Sequence, residues 1–323
     1  MTLTGASYPR SYKGGRLPRS HAPSLGKVDL VAAIEQTSNP YFSLLASDVL
    51  DEPEELNRTA RLFGYGASTG IDLPGEAQGN LPSDLRTNRT GLYATAIGQH
   101  TLLCTPLQTA VMLSTLANGG KVLQPTLVAE IGGAMPKEQP WYSFASVNHF
   151  AEKELRRLGI NFPLFTVLCE RQESHVADHK NVQIMRDLHI PSPVLKFLFE
   201  GMNRTVWGSK GTARPGAIKA LRQNNTLLAE YLSLHHQMIG KTSTAEILFN
   251  PNVNPSSKPS LYKHIWFGSI GFSADAPQFE DPEIVVVVYL RYGDGGKEAA
   301  PLASQMIAKW REIKKNHTKL RPQ

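Results

Sequence analysis

The sequence predicts an α+β fold: a central antiparallel β-sheet flanked by helices, with a helical subdomain beside it. Three observations carry this. Helical patterns come first, and residues 236–249, 263–273 and 282–292 then follow as three consecutive strand-like segments. Within the last of them, IVVVVYL (residues 284–290) is an unbroken β-branched run, the composition of a central strand buried on both faces. A closing helical pattern over 299–315 ends the folded part.

In chain order, residues 1–26 are rich in Gly, Pro, Ser, Arg and Lys and read as an irregular opening segment. From Lys27 to about Leu50 the apolar positions Val28, Leu30, Val31 and Ile34, then Phe42, Leu44 and Leu45, predict helix interrupted at Pro40. PEELNRTARLF (53–63) predicts a short helix opened by its proline, with Leu56, Ala60, Leu62 and Phe63 inward. The glycine-rich stretch 63–82 reads as a structured loop, since Ile71, Leu73 and Leu81 still alternate inward. Residues 105–119 carry a full set of helix signals: Thr105 as N-cap, Pro106 at N1 and Gly119 just past the end. Residues 121–131 read as strand. Residues 135–195 lack a clear period and read as a variable insertion. SPVLKFLFEGMNRTVW (192–207) resumes an amphipathic helix, with Phe197, Phe199, Met202 and Trp207 as core. Residues 313–323 form a basic tail.

Composition narrows the function classes. A chain of 323 residues with 41% hydrophobic content buries a core without disulfide or metal staples. The formal charge of +6 is concentrated near the C-terminus, at Lys309, Arg311, Lys314, Lys315, Lys319 and Arg321. No basic run is interleaved with aromatics, so no nucleic-acid partner is expected. Cys104 and Cys169 cannot form a cysteine scaffold or a cysteine-based zinc cluster. His175 and His179 lack the intervening Glu of a helical zinc motif and read as surface histidines. No metal and no cofactor is expected. The uncharged run Thr101–Gly120 contains Pro106, Gln108 and Asn118 and reads as a buried helix, not a membrane span.

Gly240-Lys241-Thr242-Ser243-Thr244-Ala245-Glu246 carries the chemistry. On a strand, one ammonium and two hydroxyls can line a cleft edge and bind a carboxylate, while a small third residue lets a substrate backbone lie close. Alone, the string is equally a polar edge strand. It resembles the KTG box of penicillin-binding proteins and serine β-lactamases. Thr37-Ser38-Asn39 before Pro-Tyr-Phe resembles their SxN box. FGYG (63–66), TGIDLPGE (69–76), AIGQH (96–100), TPLQTA (105–110), HIWFGSIGFSADAP (264–277) and IVVVVYLRYGDGG (284–296) complete the likeness. Together these resemble the transpeptidase domain of class B penicillin-binding proteins, of the penicillin-binding protein 2 type, from about Lys27 to Ala308 outside the 135–195 insertion, and the expected domain spans 27–312.

The resemblance implies acyl transfer on D-Ala-D-Ala stem peptides of peptidoglycan, and acylation by β-lactams. It implies that Thr37 relays a proton, that Asn39 holds the second-box network and the substrate amide, and that Lys241 supplies positive potential. It implies further that Thr242 and Thr244 bind the terminal carboxylate, with Ser243 as the small third-box residue beside the substrate and the Thr244 N–H as half of an oxyanion hole. It also implies a membrane-anchored parent at the periplasmic face of the cytoplasmic membrane, partnered by a glycosyltransferase of the SEDS family. Three departures stand out: Ser243 replaces the usual Gly, Thr37 replaces Ser, and no well-placed SxxK box is present. Ser24–Lys27 lies only 13 residues before Thr37, and Ser260–Lys263 follows the third box. The expectation is therefore a domain truncated at its N-terminus, with the serine upstream. The alternatives are a binding-only pseudoenzyme domain, and a β-lactamase or carboxypeptidase relative.

Overall fold

The computed structural model describes residues 2–4, 11–19, 24–127, 182–249, 260–293 and 295–320. The stretch expected to be irregular holds four short strands: β1 (Thr2–Thr4), β2 (Ser11–Tyr12), β3 (Gly15–Arg16) and β4 (Ser24–Lys27). β1 pairs with β4, and β2 with β3. The β2–β3 turn runs through Lys13 and Gly14, both at positive φ.

The first helical region is two helices, α1 (Leu30–Glu35) and α2 (Asn39–Asp48). Pro40 does not interrupt a helix; it stands in the first turn of α2, where its missing N–H costs nothing. α3 spans Glu54–Leu62, but Leu62 is exposed and the polar Asn57 is the buried position. Asn57 is drawn in because its amide donates to the Pro82 carbonyl at 2.6 Å. Leu73, expected inward, is exposed as well. α4 (Arg89–Thr95) carries no strong periodicity and escaped the sequence reading. α5 (Pro106–Ala117) has the predicted Thr105 cap, completed into a capping box by Gln108, and Gly119 follows at φ 83°. β5 (Lys121–Leu123) pairs with β6 (Ile184–Asp187). Most of the presumed insertion, with His175, His179 and Cys169, lies outside the described residues.

α6 (Ser192–Trp207) buries Phe199, Met202 and Trp207, whereas Phe197 is exposed on its far face. Two helices unread from sequence follow, α7 (Arg214–Leu221) and α8 (Asn225–Ser233). The three strands stand where expected: β7 (Met238–Phe249), β8 (Ser260–Phe272) and β9 (Pro282–Leu290), antiparallel in the order β7-β8-β9. The central strand is therefore β8, not β9. Among the described residues β9 is an edge, and only Val286 and Val288 of its run are fully buried. α9 (Ala300–Leu320) closes the chain.

One face of the sheet packs on α7, α8 and α9 through Phe267, Val288, Tyr231 and Ile307. The other face packs on α1, α5 and α6 through Ile239, Ile270, Leu113, Ile34 and Phe199. A smaller cluster of Val28, Ala33, Leu44 and Tyr93 ties α1 and α2 to the opening strands. α1 can press onto α6 because Gly201 has no Cβ: one there would lie 2.7 Å from Ile34. The Thr205 hydroxyl donates to the Ile34 carbonyl at 3.1 Å and fixes that contact. The end of α1 is thereby held against the start of β7.

Candidate active site

Lys241 to Thr244 lie midway along β7, an edge strand of the described sheet. Lys241 stands opposite Gly268 and Ser243 opposite Trp266. On the helical side, α1 ends in a double turn: Thr37 N–H donates to the Ile34 carbonyl and Ser38 N–H to the Ala33 carbonyl. This is the Schellman arrangement, whose αL position usually takes Gly. Here it is occupied by Thr37 at φ 51°. A β-branched residue there is strained by about 1–2 kcal/mol. Ser38 is fully buried, and its hydroxyl caps α2 by accepting from Tyr41 N–H at 3.4 Å.

The strained residue is the one the lysine reaches. Lys241 Nζ donates to Thr37 Oγ1 at 2.6 Å and to the Thr242 carbonyl at 2.8 Å. No carboxylate pairs with Lys241 among the described residues. Burial pushes its pKa down to about 7, while the residue as a whole keeps part of its surface open to solvent. Without a counter-charge, the downward direction is what desolvation of an ammonium requires.

A residue that sequence reasoning missed completes the network. Thr212 Oγ1 lies 3.2 Å from Thr37 Oγ1 and 2.6 Å from Thr242 Oγ1. Three threonine hydroxyls and one ammonium thus form a continuous hydrogen-bonded group across the cleft. The only local signal at Thr212 is the small-residue run Gly211-Thr212-Ala213 between two helices, which does not point to a site.

The remaining expected residues are placed as follows. Thr244 Oγ1 accepts from Gly296 N–H at 3.1 Å, and Thr242 is buried, so both hydroxyls already have partners. A Cβ on Gly296 would lie 2.9 Å from both the Thr242 side chain and the Ser243 carbonyl, so that loop clamps the strand. Ser243 is part-buried. Asn39 is not joined to Lys241; its Nδ2 donates to the Arg19 carbonyl at 3.0 Å, tying α2 to the opening segment. Gln99 binds the outer edge of β7, donating to the Thr244 carbonyl at 2.9 Å and accepting from Glu246 N–H at 3.2 Å. Beside Thr37 a polar pocket is lined by Lys27, Glu35, Gln36, Arg204 and Lys210; it contains none of the expected site residues.

Neither S-x-x-K string stands as a nucleophile box. Ser24 and Lys27 lie on the short strand β4 and not on the first turn of a helix, where an S-x-x-K box sets its serine and lysine side by side. Ser260 begins β8 opposite Phe249, eight register positions from the residue facing Lys241. At about 3.3 Å per residue that separation is about 26 Å. Among the described residues no three His, Cys, Asp or Glu side chains gather as a metal site.

A lysine on an edge strand, aimed at a hydroxyl on a helix break, is the framework of a cleft that can hold a carboxylate and move a proton. Residues 9–308 match the family described as penicillin binding protein transpeptidase domain, and the chain belongs to that family. It is 28% identical over 297 residues to the peptidoglycan D,D-transpeptidase MrdA of Haemophilus influenzae, covering 87% of this chain and 36% of that relative. The chain thus spans about a third of that relative's length. Among solved structures it resembles the penicillin-binding protein PBP2 of Helicobacter pylori in complex with MreC (TM-score 0.59, 20% identity, 97% of this chain and 45% of that one). It also resembles PBP3 of Mycobacterium tuberculosis complexed with ampicillin (TM-score 0.59, 19% identity, 93% and 54%). These likenesses bear out the α+β transpeptidase fold expected from sequence.

Proposed function

We propose that this chain forms the peptide-binding and proton-handling part of a peptidoglycan D,D-transpeptidase. The observation that carries the reading is the Lys241–Thr37–Thr212–Thr242 network, set along a strand edge whose Thr244 N–H meets no acceptor among the described residues. In the reaction, a serine hydroxyl attacks the penultimate D-Ala carbonyl and forms an ester as the terminal D-Ala leaves. An amine of a second stem peptide then takes the acyl group and frees the serine. Lys241 and Thr37 pass the proton toward the leaving amine. The Thr244 N–H stabilises the tetrahedral oxyanion. The Lys241 charge, with Thr242 and Thr244 beside it, draws the terminal carboxylate, and Ser243 leaves room for the peptide backbone. Asn39 sets the position of α2 and so of the turn bearing Thr37.

β-Lactams would acylate the same serine. An MreC-type scaffold and a SEDS-family glycosyltransferase are the partners this reading implies, at the periplasmic face of the cytoplasmic membrane. No helix among the described residues is long and apolar enough to cross a membrane. A second reading is peptide binding without turnover, favoured by the placement of Ser260 away from Lys241 and of Ser24 on a strand instead of a helix start.

The test is calorimetric titration of the 323-residue chain with a peptide ending in D-Ala-D-Ala. Binding that is lost in Lys241→Ala supports the site; equal binding by both proteins overturns it.

A further inference from the structure

The polar pocket beside Thr37 takes no part in the proposed reaction. It encloses about 420 Å³, enough for a small ligand. β4 contributes Lys27, α1 contributes Glu35 and Gln36, α6 contributes Arg204, and the loop after α6 contributes Lys210. The Glu35 carboxylate is buried and accepts from Lys210 N–H at 3.2 Å. Gly208 lets the loop pass that close, since a Cβ there would overlap Glu35 Oε1. Gln36 is different. It is 9% exposed, and its side-chain amide meets no hydrogen-bond partner among the described residues. Neither amide atom is among the sealed polar atoms, so both open onto the pocket. A nearly buried amide without a partner costs free energy that a bound group would recover.

The charges decide what that group is. Three cations and one carboxylate line the pocket. Arg204 is taken up by Glu200 at 2.6 Å, but Lys27 and Lys210 make no ion pair among the described residues. The helix-end carbonyls nearby are already engaged: Ala33 and Ile34 by the Ser38 and Thr37 N–H groups, Arg204 by Gly208 N–H. We propose that this pocket is a binding site for a small oxyanion, a carboxylate or a phosphate, held by the Gln36 amide and the Lys27 and Lys210 ammonium groups. Gln36 directly precedes Thr37, and Lys210 stands two residues before Thr212, whose hydroxyl lies 3.2 Å from that of Thr37. Both walls of the pocket therefore run into the network at the cleft. The site is separate from the carboxylate site at Thr242 and Thr244, and it does not rest on the peptide-binding reading.

The test uses the whole 323-residue chain, as wild type, Gln36→Leu and Lys210→Ala. The reporter is the backbone N–H resonance of residue 210, which all three proteins keep. Sodium phosphate is titrated at pH 7 against sodium chloride of equal ionic strength. Wild type should show a saturable shift with phosphate and none with chloride, and each variant should bind about tenfold more weakly. Gln36→Leu removes an unpartnered amide, so its denaturant midpoint should not fall; if it does, Lys210→Ala, an exposed substitution, decides the phosphate arm alone. A second arm separates the sources of the oxyanion, using two peptides ending in D-Ala-D-Ala with either glutamate or glutamine as the preceding residue. A wild-type preference for the glutamate peptide that Gln36→Leu loses assigns the oxyanion to the peptide. Phosphate binding without that preference assigns it to a free anion. Neither phosphate binding nor a peptide preference in wild type overturns the inference, as does phosphate binding that both variants keep unchanged. Failure to bind either peptide counts against the peptide-binding reading and leaves the phosphate arm to decide this one.

Discussion

Lys241 stands on a strand whose twelve residues all have a register partner in β8. Thr37 stands on a three-residue break between helices of six and ten residues. The first position is determined many times over by ladder bonds and by a core on each face of the sheet. The second is held in an unfavourable backbone conformation by one turn motif, the Ile34 contact with α6 and a small cluster. Strain that persists at such a point is stored where chemistry is arranged. The comparison teaches that the geometry between the two sides depends on the weaker one.

The largest expected effect asks whether either side supplies a nucleophile. The 323-residue chain should form no covalent adduct with a fluorescent penicillin, read by gel fluorescence and intact mass. An acyl group mapped to Ser24 or Ser260 would mean that this chain supplies its own nucleophile. Next comes the difference in structural support. Phe267→Ala should cost about 3–5 kcal/mol in denaturant unfolding, because Phe267 is fully buried in the sheet core. Leu44→Ala should sit near the lower end of its range, about 2 kcal/mol, because the smaller cluster around it can collapse. Equal losses would break the contrast.

A smaller effect follows from the Lys241 pKa of about 7. Below that value the lysine is charged and attracts a carboxylate; above it the attraction fades. Wild-type peptide affinity should fall several-fold from pH 6 to 8.5. The stability side has the opposite sense. Between about 7 and the ordinary lysine value the unfolded chain binds more protons, so this group makes stability rise with pH over that window. A wild-type affinity that does not change over this range would mean that Lys241 stays charged. The smallest effect tests the strained side. Thr37→Gly should raise stability by about 0.5 kcal/mol, the relief of strain exceeding the added flexibility of the unfolded chain. The same variant should weaken peptide binding, because Lys241 loses its 2.6 Å partner. Destabilisation by Thr37→Gly would show that the lost Lys241 and Thr212 bonds outweigh the strain at the turn.

Much of this architecture is legible in residue order. The caps of α5, the period of α6 and the β-branched runs of the three strands are local signals, because each element is selected by bonds and faces within about ten residues of itself. The third-box string also announces its own chemistry. The place of β9 in the sheet was not legible, since a continuous apolar run reports burial but not which neighbours provide it. Phe197, Leu62 and Leu73 have core composition, yet packing leaves them outside. Asn39 matches a motif but spends its amide on Arg19. Most of all, the hydroxyl group at the cleft joins Thr37 to Thr212 across 175 positions and to Lys241 across 204. Nothing local distinguishes Thr212 from a loop threonine, because its partners are set by how α1, α6 and β7 pack, and a hydrogen bond between distant residues leaves no period in the chain.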